Sequence, residues 1–182
     1  MENKNLESAT FGTGCFWCTE PLFKKLKGVE SVVSGYSGGH VENPSYEQIC
    51  TKMTGHAEVV RINFDPSVIA YADLLDVFWR LHDPTTPNQQ GNDKGPQYRS
   101  TIYYHNATQK ELAEKSKQET DASDLWPNPI VTEVGPLINY YPAEDYHQGY
   151  YERVGGQNPY CTYVIDPKVR KFMTDFGDKI KV

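Results

Sequence analysis

The stretch that most constrains this chain is HAEVVRINFDP, residues 56–66. Its residues alternate as a strand does: Ala57, Val59 and Arg61 fall on one face, and Glu58, Val60 and Ile62 on the other. Any fold that accommodates it places the carboxyl of Glu58 on a face shared with apolar neighbours. A carboxyl desolvated there keeps its proton to a higher pH than usual.

The flanking segments supply alternating strands and helices. Ser8 to Gly12 reads as a short strand broken by the GTG turn, and CFWCTEPLFKKLKG has helix formers and a stop at Gly28. Val29 to Tyr36 alternates as a strand, a Gly-, Asn- and Pro-rich loop follows, and Tyr46 to Thr51 forms one or two helical turns. Tyr71 to Leu81 carries Leu74, Leu75, Phe78 and Trp79 at helical spacing. HDPTTPNQQGNDKGPQ, residues 82–97, has the composition of a long irregular connection. Beyond it come a strand YRSTIYYH, a charged helix over Ala107 to Thr120 and a strand PIVTEVGPL. The tyrosine-rich segment 139–161 is loop-like, and Pro167 to Ile180 forms a closing helix. This order predicts an α/β (α+β) two-layer sandwich with a central, mostly antiparallel sheet and long wrapping loops. A length of 182 residues fits one domain, 1–182.

A formal net charge of -6 argues against a protein held to nucleic acid or an anionic membrane by its overall field. The opening residues lack the apolar core of a secretory signal, and no apolar run is long enough to span a bilayer. The expected location is the cytoplasm and the expected state a monomer. In that reducing compartment Cys15, Cys18, Cys50 and Cys161 are not expected to be structural disulfides.

Cys15 follows a glycine turn and opens a helix, where free N–H groups and the helix dipole favour a thiolate. Cys18, three residues on, shares its helix face at a Cβ separation of about 5–6 Å, near disulfide range. A metal site is the weaker reading, because no second C-x-x-C or His pair accompanies this one. Phe16 and Trp17, exposed beside the nucleophile, would cup a small apolar group such as an S-methyl; ordinary core packing is the competing reading. Cys50, in the YEQIC turn, reads as buried and inert.

The motifs GCFWCTE, GYSGG, NPSYEQIC, TGHAEVV, FDP, FWRLHDPTTPNQQGNDKGPQYRSTIYY and AEDYHQGY occur here in a single order, from about Ser8 to about Tyr163. In this the chain resembles the A-type peptide methionine sulfoxide reductases. The resemblance implies a ferredoxin-like core and reduction of the S epimer of methionine sulfoxide, free or in proteins. It assigns attack on sulfur to Cys15, the methyl-binding aromatics to Phe16 and Trp17, and the proton donor to Glu58. Tyr46 and Tyr98 would hydrogen-bond the sulfoxide oxygen, Asp93 would support that pocket, and His147 would lie just behind it. It also implies that a second thiol resolves the Cys15 sulfenic acid to a disulfide, which thioredoxin reduces, with no metal or bound cofactor. Many relatives lack a cysteine at the Cys18 position and use one near the C-terminus, where NPYC places Cys161. Cys161 is favoured because its surroundings suit a mobile loop; Cys18, or a relay through both, is the alternative.

Two other functions fit parts of the sequence. A generic C-x-x-C disulfide oxidoreductase shares the helix-start cysteines but lacks a convincing cis-proline partner segment. A peptide-binding module would use the tyrosines and loops and leave Cys15 with an ordinary pKa.

Overall fold

The computed structural model describes residues 4–181. In chain order the strands are β1 (Glu7–Thr13), β2 (Val29–Ser37), β3 (Ala57–Phe64), β4 (Gln89–Gln90), β5 (Asp93–Lys94), β6 (Ser100–Tyr104), β7 (Glu133–Pro136) and β8 (Tyr141–Pro142). The helices are α1 (Phe16–Lys24), α2 (Tyr46–Cys50), α3 (Tyr71–Leu81), α4 (Ala107–Ala122), α5 (Tyr150–Val154) and α6 (Asp166–Asp175).

One six-stranded sheet has the order β7-β6-β1-β3-β2-β8. Its four central strands pair antiparallel, with α1 joining β1 to β2 and α3 lying between β3 and β6. That is the ferredoxin-like βαββαβ arrangement that the family resemblance implies, and its largely antiparallel sheet is what the order of elements predicts. β7 adds to one edge in parallel with β6, and β8 adds to the other against β2.

Alternation along β3 sorts its side chains as expected. Val60, Ile62 and Phe64 enter the main core, where Phe11 of β1 meets Phe23 of α1 and Phe78 of α3 at ring separations of 5.7 and 5.1 Å. Burying each such side chain contributes roughly 1.5–3 kcal/mol, so the sheet and its two crossover helices are held as one body. Ala57 and Val59 face the other way, under Leu137 and Tyr140. Glu58 therefore points to the helical layer, at the level where α1 begins.

Several segments are more ordered than their composition suggests. The 82–97 connection contains the β4–β5 hairpin and leads into a 3-10 turn at Pro96–Tyr98. The tyrosine-rich region holds β8, a 3-10 turn at Asp145–His147 and α5. The closing helix is shorter than expected: a π-helical turn at Cys161–Ile165 leads into α6, which ends at Asp175. PIVTEVGPL contributes only four residues to the sheet, because β6 offers it a short parallel edge.

Candidate active site

Gly14 turns the chain from β1 into α1 with a φ of +103°, a conformation that L side chains rarely adopt. A Cβ there would also meet Gln90 Cβ at 2.7 Å. The turn leaves Cys15 as the N-cap of α1, half-buried. The first N–H groups of the helix, which have no partners within it, are used by the site. Phe16 N–H donates to Glu58 Oε1 at 3.2 Å, and the Trp17 N–H points at the Cys15 sulfur.

Cys15 packs against Cys18 at the edge of one buried cluster, thiol beside thiol. Against the helix-dipole expectation, Cys15 is the protonated member. Its thiol is held well above the ordinary value by the contact with Cys18 and by burial, and the Glu58 carboxyl adds to this once it ionises; the single Trp17 N–H does not offset them. Cys18 is lowered to about 7, chiefly by the Cys15 thiol donating to it and also by Lys168, against the cost of burial.

Glu58 is 2 % exposed. Burial pushes its carboxyl up to about 8, with Asp93 and Cys18 adding to the shift and the Phe16 N–H opposing it. It is therefore protonated at neutral pH and faces Cys15. Tyr46 and Tyr98, both half-buried, face the same carboxyl and the same thiol. Burial raises both phenols, which stay protonated as donors. Asp93, half-buried on β5, reaches the site through Tyr160, whose hydroxyl donates to Asp93 Oδ2 at 2.7 Å.

The two aromatics differ in placement. Trp17 is half-buried and stacks on Tyr150, with centroids 3.9 Å apart and planes at 9°, while Tyr160 meets it edge-on at 6.1 Å. Phe16, expected to be exposed, is 1 % exposed and packs on Tyr36 and His147. The first turn of α1 points it inward over β2, so it forms a wall under the site rather than an open rim. His147 is fully buried, and its Nδ1 accepts from the Trp17 indole N–H at 3.0 Å.

Two other cysteine expectations are corrected. Cys50 is exposed, not buried: the five-residue α2 turns Ile49 inward and leaves Cys50 outward. Cys161 is not on an open loop. It is 0 % exposed, at the start of the π-helical turn and in one buried cluster with Cys18 and Ile165. Asn158 pins that turn, accepting from Tyr160 N–H at 2.9 Å and donating to the Tyr150 hydroxyl at 2.6 Å.

Sequence reasoning passed over several residues that shape the site. Tyr150 and Tyr160 wall Trp17. Glu144 accepts from Tyr46 N–H at 3.1 Å and from the Tyr36 hydroxyl at 3.3 Å. Glu20, buried in α1, accepts from Ser34 Oγ and Gly149 N–H and pairs with Lys24, fastening the His147 segment to the helix. The signal was the density of tyrosine and acid between residues 139 and 161, several of which contact distant elements.

A helix-start thiol beside a second thiol, with a protonated carboxyl against the first, defines a thiol oxidoreductase site. Residues 7–180 match the family model for peptide methionine sulfoxide reductase, and the chain belongs to that family. It is 55% identical over 177 residues to the peptide methionine sulfoxide reductase MsrA of Sulfolobus acidocaldarius, covering 97% of this chain and 99% of that protein. Among solved structures it is similar to reduced Mxr1 from Saccharomyces cerevisiae, with a TM-score of 0.81 and 35% identity over 88% of this chain and 91% of that one. Mxr1 in complex with Trx2 gives a TM-score of 0.58 and 28% identity, covering 82% of this chain and 87% of that one. Among the described residues no helix is long and apolar enough to cross a membrane.

Proposed function

We propose that this single-domain chain reduces the S epimer of methionine sulfoxide, free or in proteins, with Cys15 as nucleophile and Glu58 as acid. The observation that carries the assignment is the buried, protonated Glu58 carboxyl facing the Cys15 thiol. A sulfoxide oxygen is a poor leaving group until it gains a proton, and a carboxyl raised to about 8 has one to give at neutral pH.

The S-methyl rests against Trp17, with Phe16 as the wall beneath it, and the sulfoxide oxygen takes hydrogen bonds from the Tyr46 and Tyr98 hydroxyls. Asp93 and His147 act through neighbours, Asp93 by fixing Tyr160 and His147 by fixing Trp17. Cys15 sulfur attacks the sulfoxide sulfur and Glu58 protonates the oxygen. Methionine departs, and oxygen remains on Cys15 as a sulfenic acid.

Cys18 resolves first. Its sulfur attacks the Cys15 sulfenic sulfur, the S–O bond breaks, and the oxygen leaves as water with the Cys18 proton. What supports this order is that Cys18 follows Cys15 by one helical turn and packs with it, whereas Cys161 is fully buried at the start of a separate π-helical turn. Cys161 then takes the disulfide over from Cys18 by exchange. The external reductant is a thioredoxin, a reading supported by the similarity to Mxr1 solved with Trx2. The chain works as a cytoplasmic monomer and needs no metal or bound cofactor.

Disulfide mapping tests the order. One equivalent of sulfoxide given to Cys161→Ser should yield a Cys15–Cys18 disulfide with full release of methionine. A sulfenic acid persisting in that variant would return the resolving role to Cys161.

A further inference from the structure

Cys15 holds its proton in the resting site, and a thiol must lose it to attack sulfur. Glu58 is the wrong partner, because it is needed as an acid. The partner in contact with the Cys15 thiol is Cys18.

Cys18 lies among charged and titratable groups from several elements. Cys15 meets it from its own helix, and Lys168 Nζ of α6 stands 3.9 Å from its sulfur. The Tyr160 hydroxyl is 3.7 Å away. Asp93, Glu58 and Cys161 complete the surroundings. Of these groups Lys168 alone is cationic. Tyr160 has one hydroxyl proton, and its 2.7 Å bond to Asp93 competes with Cys18 for it, so Tyr160 is a lesser support for a charge on Cys18 than Lys168. At 5 % exposure Cys18 is shut off from water, where an uncompensated negative charge is costly.

We propose that Lys168 is a positioning residue that holds the resting negative charge on Cys18, and that Cys18 takes the Cys15 proton as Cys15 attacks the sulfoxide sulfur. This rests on Cys15 being the attacking thiol. The proton count closes. The Cys15 S–H proton moves to Cys18 sulfur while the Glu58 proton moves to the sulfoxide oxygen. Methionine leaves, the Cys15 sulfenic acid forms, and Glu58 is left as carboxylate. Cys18, now a thiol, supplies the proton with which the sulfenic oxygen departs as water. One side chain thus serves as base in the first step and as resolving thiol in the second, and Lys168 resets it.

The test follows thiolate absorbance of the reduced protein against pH, together with single-turnover methionine release. Wild type should titrate one thiol near neutrality, and Cys18→Ala should lose that titration. Lys168→Met should move its midpoint up by about one pH unit or more and slow methionine release at neutral pH by roughly tenfold, one pH unit being a tenfold change in thiolate. Lys168→Arg should restore both. An unmoved midpoint in Lys168→Met, or methionine release by Cys18→Ala as fast as wild type, overturns the proposal. Methionine release by Cys15→Ser would instead remove the reading of Cys15 on which it rests, whatever the titration shows.

Discussion

The indole N–H of Trp17 donates to Nδ1 of His147, a residue 130 positions away in the chain, at 3.0 Å. The accepting nitrogen carries no proton, so the ring proton sits on Nε2, 3.3 Å from Glu144 Oε2. A neutral His147 therefore fixes the plane of Trp17, and burial, which lowers its titration below the ordinary histidine range, keeps it neutral.

Replacing His147 by Phe leaves the Trp17 N–H without its acceptor. The expected cost is roughly 1–2 kcal/mol in substrate binding, a rise in KM of about five- to thirtyfold with a smaller change in kcat. His147→Gln, which keeps an acceptor, should recover part of the loss. Equal losses in the two variants would show that bulk, not the hydrogen bond, positions Trp17.

Glu58 gives a pH signature. Its carboxyl is raised from 4.5 to about 8, so the acid form prevails below pH 8 and methionine release in a single turnover should fall above it. Glu58→Gln should lower that rate by about 10²–10⁴. The sign for stability is opposite to that of a salt-bridged acid. Burial of the carboxyl costs nothing extra below 4.5, and the cost grows up to about 8 as the unfolded chain ionises and the folded one does not. Denaturant unfolding of Glu58→Gln should therefore gain on wild type as pH rises through that window.

Glu20 predicts a stability effect away from the chemistry. It holds Ser34 Oγ at 2.9 Å, Gly149 N–H at 2.8 Å and Lys24 Nζ at 2.7 Å from within the protein. Glu20→Ala strips those donors of their acceptor and should cost about 3–5 kcal/mol in unfolding free energy. A loss under about 1 kcal/mol would mean that water replaces the carboxylate there.

Gly14→Ala should be costly for a local reason. The φ of +103° and the 2.7 Å approach to Gln90 Cβ leave no room for a methyl. An expected loss of about 1–3 kcal/mol should come with lower activity, since this turn sets Cys15. An alanine variant of wild-type stability would contradict that geometry.

The alternation of residues 57–62 gave β3 its faces and put Glu58 on the core side before any contact was known, because strand periodicity is local. Leu74, Leu75, Phe78 and Trp79 marked α3 for the same reason. What could not be read locally was pairing across the chain. β8 is two residues long and exists because β2 offers an open edge. Cys161 follows Gly, Asn and Pro, yet is buried because α6 closes on α1. Lys168 looks like one more surface cation of a terminal helix until that helix sets it against Cys18. The protonation of Cys15 depends first on Cys18 and on burial rather than on its own helix end.

In the proposed reaction Cys15 attacks sulfur while Glu58 protonates oxygen, in a pocket that accepts one sulfoxide epimer. The most direct measurement is single-turnover reduction of the two separated epimers of N-acetyl-methionine sulfoxide by pre-reduced protein, with Cys15→Ser alongside. Methionine should form from the S epimer alone, with wild type and not with Cys15→Ser. Methionine from the R epimer at a comparable rate, or from Cys15→Ser, would contradict it.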